Sequence, residues 1–531
     1  MIERVVEDWL ANVNELGYEE SFIHALIAEG HTVVHRQKHG SLELGKDIIT
    51  RDSDGQYHSY QLKGGDIDLP KWERISGQIQ ITVSSPILHP NVPPTAQFTP
   101  YLVTNGVITD PVRADIANRN IVWEQQHQRR LQLIQYGELL DKFLRLQSSF
   151  LPTKPRDFQL FLTFYLADKQ EPLNCIQFSE LLLSMLPPAG ATRAELRRLF
   201  AAVIIVADYV ISGYEGLGNY YAATQGWSVL TFHLMRVCEA HRNVSDWQDS
   251  LNLLVESIDR CASRVIQESL ESANLMEGML LVDEKIWPYR LTAIVGLLSA
   301  YMISHRLSGH RIPNEHAVFG KIRWGAGSMR LWGEFAAPSF FLAAECLCLR
   351  GAERAGIDLA VSAIKSIIER NGKDKKGDLA DPYYNDYAMI RHQVLGDSIF
   401  EDRVTFGGRS YSIRQFVEFV ARRNWPNTLQ RLWFNIAPIW YEEFAPEEPS
   451  DSYIWLTKRG STDGRRWKHP QRWRDLIDEC CTVPSDATLL IETAFRHVLP
   501  YFILFMPHRF TPKRARVLDL RVLEIQDAEC R

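Results

Sequence analysis

The sequence predicts two parts of different fold class: an N-terminal α/β domain with a mixed sheet flanked by helices, and a larger all-α domain after it. In residues 1–146, helical runs alternate with β-branched runs in the order helix, strand, hairpin, helix, strand, helix, strand. Beyond residue 157, apolar residues recur at spacings of three and four through long segments. A chain of 531 residues allows both parts to bury a core.

The first part opens with helical periodicity that ends at Gly30, and Val33 and Val34 then begin a strand. A hairpin follows. The later elements are predicted as a helix over 72–83, a strand over 98–106, a helix over 110–118 that has Pro111 at its first position, and short strands over 121–123 and 131–134.

The hairpin is predicted from two β-branched or aromatic runs, 48–50 and 57–62, with Asp54-Gly55 at the reversal. Side chains alternate along a strand, so Gln61 and Lys63 share one face. If the loop has an odd number of residues and is centred on Gly55, Asp47 pairs with Lys63 and faces the same side. A two-residue turn would place Asp47 on the opposite face.

One carboxylate, one amide oxygen and one ammonium on a single face suit metal-assisted hydrolysis of a phosphodiester. Mg²⁺ or Mn²⁺ takes oxygen ligands and needs few of them from protein. Asp47 is the predicted anionic ligand and Gln61 a second ligand through its carbonyl oxygen. Lys63 is predicted to position or deprotonate the attacking water and to offset charge on the phosphorane.

This stretch resembles the PD-(D/E)XK nucleases, and within them the Mrr-type restriction endonucleases, over residues 1–146. The matching residues are Gly45-Lys46-Asp47 and Gln61-Leu62-Lys63. The family also places an acid on the preceding helix, eleven residues ahead of a glycine; Glu19 fits that position relative to Gly30, and Glu20 is its rival.

The resemblance implies a restriction-endonuclease-like fold and a Mg²⁺- or Mn²⁺-dependent endonuclease that cuts DNA. Similar fusions act in bacterial restriction and anti-phage defence, with homo-oligomers or other defence proteins as partners. The residues alone do not distinguish DNA from RNA. Three alternatives stay open: a small α/β domain with a solvated hairpin, a scaffold that only grips nucleic acid, and a nuclease for repair or junction processing.

Histidine is dense in this part, which raises a separate metal-site alternative. His35 and His39 lie four residues apart, but on a predicted strand and loop and not on one helix face. Loop and surface histidines are therefore the preferred interpretation. The seven are His24, His31, His35, His39, His58, His89 and His127.

A linker is predicted over 147–157, where serines and prolines interrupt the helical pattern. Residues 158–531 form the predicted all-α domain, with a sensor, regulatory or oligomerisation role. Helices of this length are typical of HEAT- or TPR-like arrays. The sequence shows no fixed repeat period, so an irregular helical domain is equally allowed.

The charge distribution indicates where nucleic acid would bind. The chain has a formal charge of −6, and residues 1–150 hold 14 Lys and Arg against 19 Asp and Glu, a formal −5. A phosphate backbone would therefore need a local basic surface. The densest candidate, here the basic stretch (458–474), mixes cations with tryptophans. Its predicted contact residues are Lys458, Arg459, Arg465, Arg466, Trp467, Lys468, Arg472 and Trp473.

The eight cysteines include no Cys-x-x-Cys pair, so neither a zinc cluster nor a disulfide framework is indicated. Apolar runs such as 294–302 and 499–506 have the length of core segments, and the N-terminus lacks the pattern of a signal peptide. We expect a soluble, cytoplasmic protein with no membrane partner.

Overall fold

The structure, a computed structural model, describes most of the chain. The described residues are 2–36, 45–93, 95–147, 155–186, 192–241, 247–272, 283–375, 379–383, 386–395, 407–423, 425–454, 460–468, 476, 480 and 489–530. The chain divides into two compact units, 1–226 and 227–531.

The first unit contains a five-stranded sheet and the helices that pack on it. Its strands are β1 (Thr32–Arg36), β2 (Ile48–Arg51), β3 (Tyr57–Lys63), β4 (Phe98–Thr104) and β5 (Gln132–Ile134). Its helices are α1 (Ile2–Asn12), α2 (Glu15–Ala28), α3 (Leu69–Ser84), α4 (Asp110–Gln125), α5 (Tyr136–Gln147), α6 (Pro155–Tyr165), α7 (Cys175–Met185), α8 (Arg193–Gly216) and the start of α9 (Tyr220–His241).

The sheet is mixed, as the sequence predicts. The strand order is β1-β2-β3-β4-β5; β1, β2 and β3 run antiparallel, whereas β3, β4 and β5 run parallel. Parallel neighbours require a crossover, which α3 supplies between β3 and β4 and α4 supplies between β4 and β5. β3 therefore lies in the centre of the sheet, with the hairpin partner on one side.

The two faces of the sheet carry different helices. On one face, Trp72 and Ile79 of α3 and Ile116 of α4 pack with Leu102 of β4 in a buried cluster. On the other face, the ring of Phe22 from α2 meets that of Tyr60 edge-on at 5.3 Å. Burial on both faces fixes the register of the central strand, because a one-residue slip would exchange the two sets of side chains.

The strand predicted at 121–123 is wrong, because these residues belong to the last turn of α4. Ile121 and Val122 are exposed, whereas Trp123 is buried and its indole N–H donates to Gln80 Oε1 at 2.6 Å. Three consecutive apolar residues predict a buried strand, but only one of them faces the core here. The helix stops where His127 takes a positive φ of 57°.

Helices that follow the predicted linker belong to the same compact unit as the sheet. α8 packs along α2, where the Ser21 hydroxyl donates to the Asp208 carboxylate. α8 also contacts α1, because the indole of Trp9 donates to Ser212 Oγ at 3.0 Å. Of the predicted linker, residues 148–154 lie outside the described residues, and α6 already begins at Pro155. α2 is thus held between the sheet and α8.

The second unit is mainly helical in its described residues. Its helices are the rest of α9, α10 (Gln248–Glu271), α11 (Asp283–Ser308), α12 (Glu315–Ala326), α13 (Ala337–Leu349), α14 (Glu353–Asn371), α15 (Asp386–Leu395), α16 (Ile413–Arg422), α17 (Pro426–Ile436), α18 (Leu499–Phe505) and α19 (Pro512–Cys530). Short 3₁₀ helices lie at Glu334–Ala336, Pro449–Tyr453, Leu490–Glu492, Arg496–Val498 and Pro507–Arg509.

This unit also holds a three-stranded sheet, which the all-α prediction misses. Its strands are β6 (Arg409–Ser410), β7 (Trp440–Pro446) and β8 (Gly460–Arg465), in that order. β7 and β8 pair antiparallel. In β7 the buried residues Tyr441 and Phe444 are three apart and not two, so the sequence does not alternate as a half-buried strand usually does.

The packing of the second unit differs from that of a repeat array. In a solenoid each repeat contacts only its neighbours in sequence. α11 instead packs against the adjacent α12 and α13 and also against α18, and α13 packs against α19. These long-range contacts favour the irregular helical domain over the HEAT- or TPR-like array.

α11 contains the most apolar long segment of the described residues. By length and composition, Lys285–Ser308 passes as a membrane span with a mean hydropathy of 1.3, but 67% of that segment is buried inside the structure. Its neighbours are other helices of the unit. The segment therefore has the environment of a core helix.

A buried network of charges joins three helices of the second unit. Asp519 of α19 pairs with Arg422 and Arg423 at the end of α16, and Arg423 also pairs with Glu345 of α13 at 2.7 Å. Glu418 of α16 accepts further ion pairs, from Arg414 at 2.7 Å, Arg422 at 3.3 Å and Arg516 at 2.9 Å. Four arginines thus pair with three carboxylates inside the unit.

Candidate functional site

The hairpin has the odd-loop parity that the site requires. β2 and β3 pair Ile48 with Tyr60 and Arg51 with Tyr57, which leaves a five-residue loop, 52–56. The predicted pairing of Asp47 with Lys63 is wrong, because the loop is centred on Asp54 and not on Gly55. This moves the register by two residues, and a shift of two keeps every side chain on its predicted face.

Asp52 builds this loop. Its Oδ1 accepts the backbone N–H of Asp54 at 3.0 Å and of Gln56 at 2.8 Å, and its Oδ2 lies 2.8 Å from His58 Nε2. Gly55 adopts a φ of +82°, which glycine accommodates without strain. An aspartate that caps its own turn is a common device, and it is the sequence feature that the Asp-Gly interpretation overlooked.

Asp47 lies just before β2 and takes the place of a strand residue. Its N–H donates to the carbonyl of Tyr60 at 2.9 Å, while its Oδ2 accepts the N–H of Leu62 at 2.7 Å and the side-chain N–H of Gln61 at 2.9 Å. The carboxylate thus accepts the Leu62 N–H of β3, as a backbone carbonyl of a paired strand would. Two donors in fixed positions orient it.

The glycine of the Gly-Lys-Asp sequence is required by close packing. Gly45 adopts a φ of +73°, and a Cβ there would lie 2.6 Å from Thr82 Oγ1 and 2.9 Å from Gln61 Oε1. The Thr82 hydroxyl donates to the Gly45 carbonyl at 2.7 Å. Thr82, on α3, therefore joins both halves of the predicted motif, and the sequence did not single it out.

The amide of Gln61 is held from both ends. Its Nε2 donates to Asp47, and its Oε1 lies 3.4 Å from Thr82 Oγ1. A half-turn of the amide would place the carbonyl oxygen beside Asp47 and the Nε2 donor beside Thr82, whose hydroxyl oxygen can accept. Gln61 can therefore present an oxygen to a cation near Asp47 without moving its backbone.

Lys63 meets an acid that the sequence reasoning missed. Its Nζ lies 3.7 Å from Oε1 of Glu15, in the first turn of α2. The Tyr18 hydroxyl donates to the Lys63 carbonyl at 3.0 Å and so ties this helix to β3. Glu15 and Glu19 are one helical turn apart, a spacing that puts both on one face of α2 and that was readable in the sequence.

Glu19 and Glu20 are both bound by Arg36 at the end of β1. Arg36 Nε lies 2.6 Å from Glu19 Oε1, and Arg36 Nη1 lies 2.7 Å from Glu20 Oε2. Glu20 is 1% exposed and also contacts His24 Nε2 at 3.1 Å. Of the two, Glu19 is the acid whose charge acts on Asp47. Glu20 has the surroundings of a structural residue.

The electrostatic environment of Asp47 favours its protonated form. Burial, which is the largest effect, and the nearby carboxylates of Glu15 and Glu19 raise the pKa of Asp47 to about 7, against the lowering effects of the Leu62 N–H and of Lys63. Burial also raises the pKa of Glu15. Carboxyl groups that lie close together despite their mutual repulsion are typical of functional sites. A bound cation would relieve this repulsion.

The raised pKa predicts a gain in stability for Asp47→Asn in metal-free buffer. The folded state holds the Asp47 proton up to about pH 7, whereas the ordinary value is 3.8. The contribution of this carboxyl to stability is therefore complete below about pH 4 and is lost as the pH rises to about 7. Asn does not titrate and still accepts both N–H groups. At pH 8 we expect the variant to be more stable by on the order of 2 kcal/mol.

Thermal unfolding at pH 5 and pH 8 measures this gain. The matched control is Asp54→Asn, at the exposed tip of the same hairpin. We expect the advantage of Asp47→Asn to be clear at pH 8 and smaller at pH 5. An advantage that grows as the pH falls would contradict the assignment of the raised pKa to Asp47.

The side chains around Asp47 supply only a few ligands for a hard divalent cation. Among the described residues, no group of three or more His, Cys, Asp or Glu side chains could hold a metal ion, which also leaves the histidine alternative without support in that part of the chain. Mg²⁺ commonly uses one or two carboxylates and otherwise water or phosphate oxygens. Asp47, the Gln61 carbonyl oxygen and Glu19 or Glu15 are the residues that would hold it.

The basic stretch is only partly described. Arg465 lies 3.1 Å from Glu443, and the guanidinium of Arg466 lies 4.5 Å from the ring centroid of Trp440. Trp467 is buried: its indole donates to the Ile439 carbonyl at 2.9 Å, so its ring is not exposed for base stacking. Lys468 is exposed. The other predicted contact residues, Lys458, Arg459, Arg472 and Trp473, lie outside the described residues.

Comparisons of the chain with family models, with curated proteins and with solved structures gave no match.

Proposed function

We propose that the chain is a metal-dependent endonuclease that hydrolyses phosphodiester bonds in DNA, with its catalytic site at the start of β2 and the end of β3. The observation that carries the proposal is the fixed group of Asp47 and Gln61, 2.9 Å apart, with Lys63 two residues further along the same strand face. This is the residue set of the PD-(D/E)XK nucleases that the sequence resembles.

Each side chain has a distinct part in this proposal. Asp47 and Gln61 would hold Mg²⁺ or Mn²⁺, which when bound activates water and neutralises phosphate charge. Lys63, half-buried beside Glu15, orients the water and stabilises negative charge on the phosphorane. Glu15, which lies 3.7 Å from Lys63, is placed to receive a proton, and burial raises the pKa of its carboxyl above the ordinary value.

A nicking assay tests the proposal directly. The purified full chain is incubated with supercoiled plasmid, and in parallel with single-stranded DNA and RNA, in EDTA, Mg²⁺ or Mn²⁺. We expect conversion of the plasmid to nicked and linear forms only with a divalent cation. Cleavage of RNA alone would change the substrate class, and equal products in EDTA would reject the metal-dependent mechanism.

We expect Thr82→Val to lower metal affinity and cleavage rate only by disturbing the position of the Gln61 amide. Thr82 is fully buried and its hydroxyl holds Gly45 and faces Gln61, so removing it leaves the Gln61 amide without its second support. Residues that orient metal ligands typically change metal affinity or activity by about 10- to 100-fold. We expect a loss of this size in Mn²⁺ affinity and in cleavage rate.

Thr82→Ser is the matched control, because it keeps the hydroxyl and removes only a methyl group. Isothermal titration with Mn²⁺ gives a readout that does not depend on cleavage. Equal losses in the Val and Ser variants would mean that packing of the methyl group, and not the hydroxyl, matters at this position.

A second candidate function is a nucleic-acid-binding scaffold without catalysis. Arg36 favours it, because its guanidinium already binds Glu19 and Glu20 and leaves fewer acids for a metal. The plasmid assay separates the two candidates, since a scaffold binds the plasmid and leaves it supercoiled. A repair or junction-processing nuclease would instead prefer branched DNA to linear duplex.

A role in bacterial restriction or anti-phage defence, with the second unit as sensor or regulator and with homo-oligomers or other defence proteins as partners, is supported only by the resemblance of the hairpin. Within that proposal, only the nuclease site is supported by particular residues and distances. Activity that rises when a second factor is added to the full chain would support regulation.

A further inference from the structure

A buried cationic group lies next to the proposed catalytic residues, and among the described residues it has no anionic partner. Lys46 precedes Asp47 in the chain and is 2% exposed, and its Nζ has no hydrogen-bond partner among the described residues. Arg129, in the loop between α4 and β5, carries a buried Nε that likewise lacks a partner there. Neither cation is paired with a carboxylate in the described part of the chain.

Both cations approach the ring of Phe98 at the start of β4. Lys46 Nζ lies 5.4 Å from the ring centroid and the guanidinium carbon of Arg129 lies 3.9 Å from it. The ring belongs to an apolar cluster with Ile49 and Ile87. Two positive charges therefore lie beside one aromatic ring at the edge of an apolar core.

This arrangement is unfavourable without an anion. Burial of an ammonium that has no acceptor costs free energy, and a neighbouring cation adds to that cost. A cation–π contact offsets only part of such a cost. A bound anion would satisfy the free donors and neutralise both charges.

The cluster is connected to the proposed catalytic site through two neighbouring residues. Lys46 is bonded to Asp47, and Arg129 Nη1 donates to the carbonyl of Val83 at 3.1 Å. Val83 follows Thr82, the residue that faces Gln61. Along the chain, the cluster is thus one residue from Asp47 through Lys46, and it contacts α3 one residue from Thr82.

We propose that Lys46 and Arg129 form a binding site for a backbone phosphate of the nucleic-acid substrate, adjacent to the phosphate that is cut. The proposal rests on the proposed nuclease function and adds to it a contact that positions the strand. Phosphate fits better than a carboxylate ligand, because an ammonium and a guanidinium together supply the donors and charge that its several oxygens accept.

The test is binding of the full chain to short DNA and RNA duplexes of the same sequence in EDTA, measured by fluorescence anisotropy over a range of salt concentrations. We expect Lys46→Met and Arg129→Met each to weaken binding and to reduce the slope of log Kd against log salt concentration by about 0.9, the value for one phosphate contact. A backbone contact predicts the same change with both polymers.

The matched control is Lys142→Met, because the ammonium of Lys142 already binds the Glu29 carboxylate at 2.7 Å. It should keep the wild-type slope. Lys46→Met should also raise the melting temperature, since an uncompensated buried charge is replaced by an apolar chain of similar length, and this shows that the variant folds.

The outcomes separate this site from the nuclease proposal. If Lys46→Met melts at a higher temperature than the wild type but keeps the wild-type affinity and slope, the phosphate site is overturned and the nuclease proposal stands. If the wild type binds and both variants show the predicted reduction in slope, but the wild type never cleaves, the phosphate site stands and the nuclease proposal is rejected. Failure of the wild type to bind either duplex overturns the phosphate site.

Discussion

Lys63→Met should abolish metal-dependent cleavage while the chain stays folded. Lys63 Nζ is half-buried and is paired at 3.7 Å with Glu15, and its aliphatic stem keeps its packing when the ammonium is removed. A group that positions water and stabilises the phosphorane contributes roughly 10²- to 10⁴-fold to the rate. We expect a loss in that range at saturating Mg²⁺, with an unchanged circular dichroism spectrum.

Two further variants and one control separate the roles of the residues in the site. Asp47→Ala and Gln61→Ala should each remove cleavage and also weaken Mn²⁺ binding, since both side chains are proposed ligands. Lys63→Met should leave Mn²⁺ affinity within a few fold of the wild type. Lys142→Met, whose ammonium binds Glu29 on a different part of the unit, is the control for the loss of a lysine charge. Wild-type rates in Lys63→Met would remove the proposed site.

The acids of α2 can be ranked in the same assay. The sequence reasoning chose Glu19, with Glu20 as its rival, whereas the structure puts Glu15 against Lys63 and both Glu19 and Glu20 against Arg36. Glu15→Gln should therefore lower the cleavage rate more than Glu20→Gln. The reverse order would mean that Arg36 releases Glu20 when substrate binds.

The part of the site that could be predicted from sequence is the part set by strand alternation. Gln61 and Lys63 are two apart, so they share a face in any register. Asp47 joined them because loop parity survives a shift of two residues. The register itself was missed, because Asp52 caps a five-residue loop through its side chain, and a side-chain turn is hard to distinguish from an Asp-Gly reversal in sequence.

Contacts between distant segments could not be predicted. Thr82 reaches Gln61 from α3, and Arg129 reaches the ring of Phe98 from the loop after α4, and nothing in their local sequence marks them. The same holds for the fold: Ile121 to Trp123 are apolar in sequence, yet only Trp123 finds a partner in the core, and tertiary packing makes the segment helical. β7 was missed because its buried residues are spaced by three.

The second unit offers an equally large effect, on stability instead of catalysis. Asp519→Ala should strongly destabilise it, because Asp519 is buried and pairs with both Arg422 and Arg423, whose side chains are 1% and 2% exposed. Burial alone would raise the pKa of Asp519, but the two guanidiniums hold it below the usual value, so the carboxylate is charged. Removing it leaves positive charge that Glu418 and Glu345 balance only in part.

Loss of one partner from a buried ion network typically costs about 3–5 kcal/mol. For a unit of this size we expect the unfolding temperature to fall by roughly 10 °C. The control is Glu524→Ala on the same helix, where the partner Arg521 lies at 2.6 Å but both side chains are well exposed; such pairs contribute about 0–1 kcal/mol. Asp519→Asn keeps an acceptor and should lie between the two. Thermal unfolding of the full-length variants, followed by tryptophan fluorescence, measures the order. Equal midpoints for Asp519→Ala and Glu524→Ala would mean that the arginines find other acceptors and that the network does not hold α16 against α19.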